Sequence, residues 1–316
     1  MKKAIVVGHT GQDGTYLSSL LREKKYEVVG IDIKEVSENK FGIKHVDVLQ
    51  MPHVENLLQK TQPDEIYFLA AVHQSSSEKP VEDGELFQMS LNLNVKALIN
   101  FLEGIRKHSK HSRIFYAGSS HVFGSPVLSP QDERTPFQPD CIYGITKTAG
   151  IRACHFYREN HEIFASVGIF YNHESSLRES KYVSKKIVET AVSIKYGKKN
   201  ELILGNLESQ IDWGYAPDYM RAVHSMMQLS CADDFVISSG TIHTINDFVT
   251  VVFVYLGLDW TKFVKVNPSL ITKKQKLNLF GNNQKIRKAT GWSPSIDFNE
   301  LTKILVDEEL KKHGSK

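Results

Sequence analysis

A chain of 316 residues is long enough for two domains, and 41% hydrophobic against 24% charged residues, with 20 Gly and 10 Pro, excludes collagen-like, low-complexity and wholly disordered chains. The 39 Lys and Arg against 36 Asp and Glu leave a net charge of +3, too small to call for nucleic acid or another polyanionic partner. The longest apolar stretch, residues 249–258, is interrupted by Thr250 and Gly257 and falls short of the roughly 20 residues of a membrane span.

A glycine-rich turn follows residues 4–7 where a signal peptide would carry its apolar core, so the expectation is a cytoplasmic protein with no membrane partner. Cys141, Cys154 and Cys231 are an odd number without a Cys-x-x-Cys pair, and His108 and His111 have no matching ligand pair. Neither a disulfide framework nor a metal site is expected.

In chain order, apolar runs at 4–7, 27–33, 66–69, 113–117 and 163–171 read as strands. They alternate with helix-period segments at 16–23, 54–59, 86–105 and 147–159. That alternation predicts an α/β fold, a Rossmann-type doubly wound parallel sheet with right-handed crossovers. Beyond residue 171 the pattern loosens into a helical segment at 183–196, short runs at 202–204 and 235–238, and a closing amphipathic helix from Asn299. The expected division is a dinucleotide-binding domain, 1–170, and a smaller α/β substrate-binding domain, 171–316, with some chain exchange between them.

Gly8-His9-Thr10-Gly11-Gln12-Asp13-Gly14 follows the first strand and opens a helix. The context suits a tight turn whose backbone approaches a pyrophosphate, with helix N-terminal N–H groups aimed at negative charge. Asp32 ends the second strand, where a carboxylate binds ribose hydroxyls and repels a 2′-phosphate. NAD is therefore preferred, and NADP is the alternative because Lys34 lies two residues on. Asp47 and Val48 end a further short strand, 45–48, placed to reach the adenine end; a plain loop carboxylate is the other reading of Asp47.

Tyr-x-x-x-Lys occurs twice, at Tyr143…Lys147 and Tyr182…Lys186, and context separates the two. Tyr143 begins a helix 24 residues after Ser119, which ends a strand where side chains face the cofactor crevice. A lysine one turn from a tyrosine can lower the phenol's pKa and hold the nicotinamide ribose, so that the tyrosinate takes a proton from a sugar hydroxyl while Ser119 shares it.

With Leu69-Ala70-Ala71 between them, these motifs resemble the extended short-chain dehydrogenase/reductases acting on nucleotide sugars. The chain is most similar to the GDP-mannose 4,6-dehydratases, through Gly11-Gln12-Asp13-Gly14, Asn172-His173-Glu174-Ser175, Leu204-Gly205-Asn206-Leu207, Asp212-Trp213-Gly214-Tyr215-Ala216 and Gly291-Trp292. The resemblance implies internal redox on a GDP-sugar. Hydride passes from C4 to the nicotinamide and returns to C6, and water is eliminated across C5–C6. It also implies Thr10, Gln12, Asp13, Leu69, Ala70, Ala71, His173 and Arg178 near the cofactor, and Ser120, Asn172, Glu174, Lys186, Leu204, Gly205, Asn206 and Lys273 at the nucleotide-sugar.

Three departures stand out. Ser119-Ser120-His121 replaces the family's Thr-Ser-Glu or Thr-Asp-Glu, so His121 stands where the C5 base belongs, and an imidazole with a pKa near ~6.5 can serve there. Ile211 replaces an Arg, and Thr272-Lys273-Lys274-Gln275 replaces Arg-Pro-x-Glu. The segment after Asp32 is also shorter than the family's, which favours NAD and a homodimer over a tetramer. Together these departures point to the same reaction class on a different GDP-hexose, so that the expected substrate is GDP-N-acetylglucosamine or GDP-mannose. The competing activities are a GDP-sugar epimerase or 4-keto reductase, and an inactive nucleotide-sugar-binding protein.

Overall fold

The structure is a computed structural model that describes residues 1–33, 35–74, 81–270 and 279–314. Six parallel strands form the central sheet: β1 (Lys3–Val7), β2 (Glu27–Ile31), β3 (Glu65–Phe68), β4 (Arg113–Ser119), β5 (Ala165–Phe170) and, much later in the chain, β10 (Asp234–Ile237). Their spatial order is β10-β5-β4-β3-β1-β2. Both faces are covered, which is why these strands read as unbroken apolar runs. In β1, Ile5 and Val7 pack into one core, with Phe68, Phe101 and Ile169, and Ala4 and Val6 into the other, with Leu17, Tyr67 and Tyr219.

The covering helices are α1 (Gln12–Glu23), α2 (Met51–Thr61), α3 (Asp83–Leu91), α4 (Leu98–His108) and α5 (Ile142–His161). A π-helical turn, Asn92–Ala97, joins α3 to α4, so the single helix expected at 86–105 carries a widened turn in its middle. Asn94 in that turn donates to Thr146 Oγ1 (3.0 Å) and accepts from the Val72 N–H (3.2 Å), tying α5 to the carboxyl end of β3.

The remaining elements are β6 (Asn172–Glu174), α6 (Val183–Lys195), β7 (Leu202–Leu204), β8 (Gln210–Ile211), β9 (Trp213–Tyr215), α7 (Ala216–Met226), β11 (His243–Thr244), α8 (Ile245–Tyr255), β12 (Val264–Val266), α9 (Gln284–Thr290) and α10 (Phe298–Gly314). Three small two-stranded sheets, β6-β9, β7-β12 and β8-β11, accompany them. Helices α6, α8 and α10 share a third core with Trp213, Phe248 and Phe298.

Sheet membership does not change once and for all at residue 171. Strand β10, read from sequence as a short run of the second domain, pairs with β5 in the central sheet. Helix α7 packs Tyr219, Met220 and Val223 into the same core as Leu17 and Leu21 of α1.

The short strand expected at 45–48 is absent. That segment is irregular, and only an isolated bridge between Ile31 and Val36 lies on the outer edge of β2. Asp47 instead accepts the Leu49 N–H (2.9 Å), and its own N–H donates to His53 Nδ1 (3.2 Å). Among the described residues, no helix is long and apolar enough to cross a membrane.

Candidate active site

The carboxyl ends of the central strands open into a cavity of 1610 Å³, larger than the roughly 300–1,000 Å³ of a pocket for one small ligand. At one end lie Gly8, Thr10, Gly11, Asp13, Asp32, Asp47 and Val48; Leu69, Ala70 and Ala71 floor the middle. Ser119, Ser120, His121, Tyr143 and Lys147 stand beyond them, and Asn172, His173, Arg178, Lys186, Leu204, Gly205 and Asn206 line the far side. Gln12 and Gly14 border a smaller pocket that adjoins it at Gly8, Gly11 and Arg178.

The residues at the first end fit a dinucleotide. Gly8 has φ +89°, and a Cβ there would lie 2.9 Å from the Ala70 nitrogen. A Cβ on Gly14 would overlap the Gly8 carbonyl, so only glycine lets α1 start this close to the turn. No side chain caps α1, which leaves its first N–H groups for an anion. Asp32 accepts from Thr10 Oγ1 (2.6 Å) and from the Ile33 N–H (2.8 Å), fixing its carboxylate at the cavity wall.

An ion pair fastens this loop to β6. His173 Nε2 lies 2.9 Å from Asp13 Oδ2, while His173 Nδ1 meets the Tyr171 carbonyl oxygen at 2.8 Å and its ring stacks on Tyr219. Burial alone would raise the Asp13 carboxyl, but the His173 imidazolium, hydrogen bonds from His173 and Gln12, and the Arg178 charge outweigh it, so its pKa lies below the ordinary 3.8. Burial would likewise discharge His173, yet Asp13 raises its pKa above 6.5.

Asp13's share of the stability is therefore present above its unfolded pKa and lost as pH falls through the lowered value; His173's share is present below 6.5 and lost as pH rises through the raised one. Asp13→Asn is expected to cost about 3 kcal/mol near pH 6, the lower end for breaking a buried pair, because Asp13 keeps 22% exposure. Thermal melts should show the gap from wild type narrowing as pH rises above the His173 pKa.

At the reaction end, Ser119 lies close enough to the Tyr143 phenol to lower its pKa, and its Oγ accepts the His121 N–H at 3.3 Å. Cys141 Sγ, which caps α5 by accepting the Gly144 N–H, lies 3.8 Å from His121 Nδ1 and steadies that ring. Burial raises the Tyr143 phenol well above its usual range, and Tyr182 and Asp13 add to the effect, against Ser119 and Arg178.

Lys147, expected to lower this pKa, is buried beside the phenol. Its Nζ donates to the Ala117 carbonyl (2.7 Å) and lies 5.7 Å from the Tyr143 ring centre, and burial lowers the lysine's own pKa from 10.5 to about 7. Ser119 and Arg178 lower the pKa of the phenol.

The expectation for Glu174 is corrected. It does not line the cavity: only 1% exposed, it accepts from Ser184 Oγ (2.7 Å) and pairs with Arg178 Nε (3.2 Å), holding the arginine from behind. Lys34, Thr272, Lys273, Lys274 and Gln275 lie outside the described residues.

Among the cavity residues left unassigned in the sequence, His73 and Tyr182 stand beside Tyr143. His73, just past Leu69-Ala70-Ala71, meets Tyr143 edge-on with ring centres 4.7 Å apart. Tyr182 places its hydroxyl 3.2 Å from His73 Nδ1, and the Arg178 guanidinium lies over the Tyr182 ring at 3.6 Å. The second Tyr-x-x-x-Lys match was the available signal: both Tyr182 and Lys186 reach the cavity. His73 had none, because a histidine in an irregular loop follows no period.

Solved structures with this fold include RMD from Pseudomonas aeruginosa complexed with NADPH, with TM-score 0.84 and 17% identity over 99% of this chain and 100% of that one. Another is dTDP-glucose 4,6-dehydratase from Bacillus anthracis in complex with NAD, with TM-score 0.81 and 16% identity over 99% and 98%. At such identities they show the fold alone, a Rossmann-type parallel sheet covered by helices on both faces.

The family follows from sequence. The model of the GDP-mannose 4,6 dehydratase family matches residues 5–305. GDP-mannose 4,6 dehydratase 2 of Arabidopsis thaliana is 33% identical over 98% of this chain and 87% of the relative, and the GDP-mannose 4,6-dehydratase of Vibrio cholerae is 30% identical over 98% and 94%. The chain belongs to the GDP-mannose 4,6-dehydratase family.

Proposed function

We propose that the protein is an NAD(P)-dependent GDP-sugar 4,6-dehydratase, converting a GDP-hexose to its 4-keto-6-deoxy form with loss of one water. The observation that carries this reading is the convergence of Tyr143, Ser119 and His121 on one cavity that runs from the glycine loop to Asn206, in a chain of this family. GDP-mannose is the substrate for which the family and its relatives are named; GDP-N-acetylglucosamine is the alternative.

A dinucleotide held by the glycine loop, Asp32 and Leu69-Ala70-Ala71 would supply a hydride acceptor and donor beside the sugar. The protein's own residues handle protons. Tyr143, with Ser119 close by, takes the proton of the C4 hydroxyl. The ketone so formed acidifies C5–H, and His121 removes that proton. Asn172, Lys186, Leu204, Gly205 and Asn206 hold the nucleotide-sugar in this reading, with Lys186 oriented by its bond to the Ile203 carbonyl (2.8 Å). Asp32, held by Thr10 and the Ile33 N–H, favours NAD over NADP because a 2′-phosphate would meet a fixed like charge.

The functional unit in this reading is a homodimer. Leu91 on α3, and Ile145 and Phe156 on the adjoining α5, are 40–53% exposed apolar side chains of the kind that copies bury. Three free cysteines, one of them exposed, suit the reducing cytoplasm. The two units of the reading remain a dinucleotide-binding part, 1–170, and a GDP-sugar-binding part, 171–316, that share α7 and β10.

Incubation with GDP-mannose and substoichiometric NAD is expected to yield, by mass spectrometry, a product lighter by one water without accumulation of NADH. An epimer of unchanged mass, or no reaction with GDP-mannose but stoichiometric NADPH consumption with a GDP-4-keto-6-deoxyhexose, would instead identify the epimerase or 4-keto reductase reading, which the Ser119-Ser120 pair favours.

A further inference from the structure

Elimination across C5–C6 moves two protons: one leaves C5 and one must reach the departing oxygen on C6. His121 accounts for the first. Ser120 beside it offers only a weakly acidic hydroxyl, and the C4 proton held by Tyr143 sits on a phenol that burial makes a still weaker acid, so the departing oxygen calls for a stronger donor.

Resting on the dehydratase reading, we propose that His73 protonates the departing C6 hydroxyl, with Tyr182 holding its ring. His73 has the position for it. Its ring centre is 4.7 Å from Tyr143 and 6.3 Å from His121, and His121 is 5.8 Å from Tyr143. C4, C5 and C6 are consecutive carbons, so three proton-handling groups must converge on a stretch only two bonds long, and these three rings do. Tyr182 engages His73 Nδ1 at 3.2 Å and so fixes the orientation of the ring.

The step balances. His121 takes the C5 proton, and the C–H electron pair becomes the C5–C6 π bond. The C6–O bond breaks with its pair on oxygen, which takes a proton from the His73 imidazolium and leaves as water. After hydride reaches C6, His121 returns its proton to C5. One proton is then missing from His73 and one, taken from the C4 hydroxyl, remains on Tyr143. Transfer of the Tyr143 proton to His73, directly or through a water, restores both, so a turnover needs no net external acid.

The test is His73→Asn, assayed on GDP-mannose and on its 6-deoxy-6-fluoro analogue, whose fluoride leaves without protonation. Loss of water from GDP-mannose is expected to fall about 10²-fold or more, while fluoride release from the analogue and deuterium exchange at C5 in heavy water stay near wild type. Sustained fluoride release also shows that the variant is folded. Dehydration at the wild-type rate, or fluoride release falling in step with dehydration, overturns the assignment. A wild-type protein that forms no 4-keto-6-deoxy product sinks the dehydratase reading itself, and the role of His73 with it.

Discussion

Tyr143→Phe is expected to lower kcat by about 10³-fold, within the range for removal of a general acid–base group, with little change in KM or melting temperature. The ring stays: Phe keeps the edge-on contacts with His73 and His121. Only the hydroxyl goes, and no hydrogen bond among the described residues goes with it. A purely structural tyrosine would show the opposite division, a stability loss with kcat retained. Turnover by the Phe variant within a few-fold of wild type would remove Tyr143 from the chemistry.

Lys147→Met is expected to abolish turnover and yet stabilise the fold at acidic pH. Lys147 is 1% exposed, and the drop from 10.5 to about 7 corresponds to about 5 kcal/mol at 1.36 kcal/mol per pKa unit. The sign follows from proton binding. Between the two values the unfolded chain holds the proton and the folded chain does not, so stability falls as pH drops from about 10 toward 7, and the full penalty applies below. Methionine removes that penalty. Against it stands the Ala117 carbonyl, which loses its donor at a cost of about 1–3 kcal/mol. The net gain is about 2–4 kcal/mol at pH 6 and vanishes by pH 10, so melting curves of the two proteins should cross as pH rises. Retaining so costly a lysine argues for a task at the site, such as holding the nicotinamide ribose.

The first half of the fold was legible because a sheet covered on both faces writes itself as apolar runs, and residues 4–7, 27–31, 66–68, 113–117 and 165–170 all lie in strands. Strand β10 was visible as a run at 235–238, but apolarity does not say which sheet a strand joins, and its pairing with β5 depends on α7 packing against α1. The segment at 45–48 alternates like a strand and is not one, since hydrogen-bonding partners decide strand formation. In the site, motif order located the glycine loop, Ser119 and Tyr143. Environment it could not locate. The burial that discharges Lys147, the inward turn of Glu174 toward Arg178 and Ser184, and the meeting of His73 with Tyr182 all come from residues distant in sequence.

The central claim is that hydride removed from the sugar returns to the same sugar, and GDP-mannose carrying deuterium at C4 tests it most directly. The account predicts a 4-keto-6-deoxy product that holds the deuterium at C6, with no label passing to added unlabelled NAD. Deuterium recovered in the free cofactor, or a product that keeps its C6 hydroxyl, would contradict it.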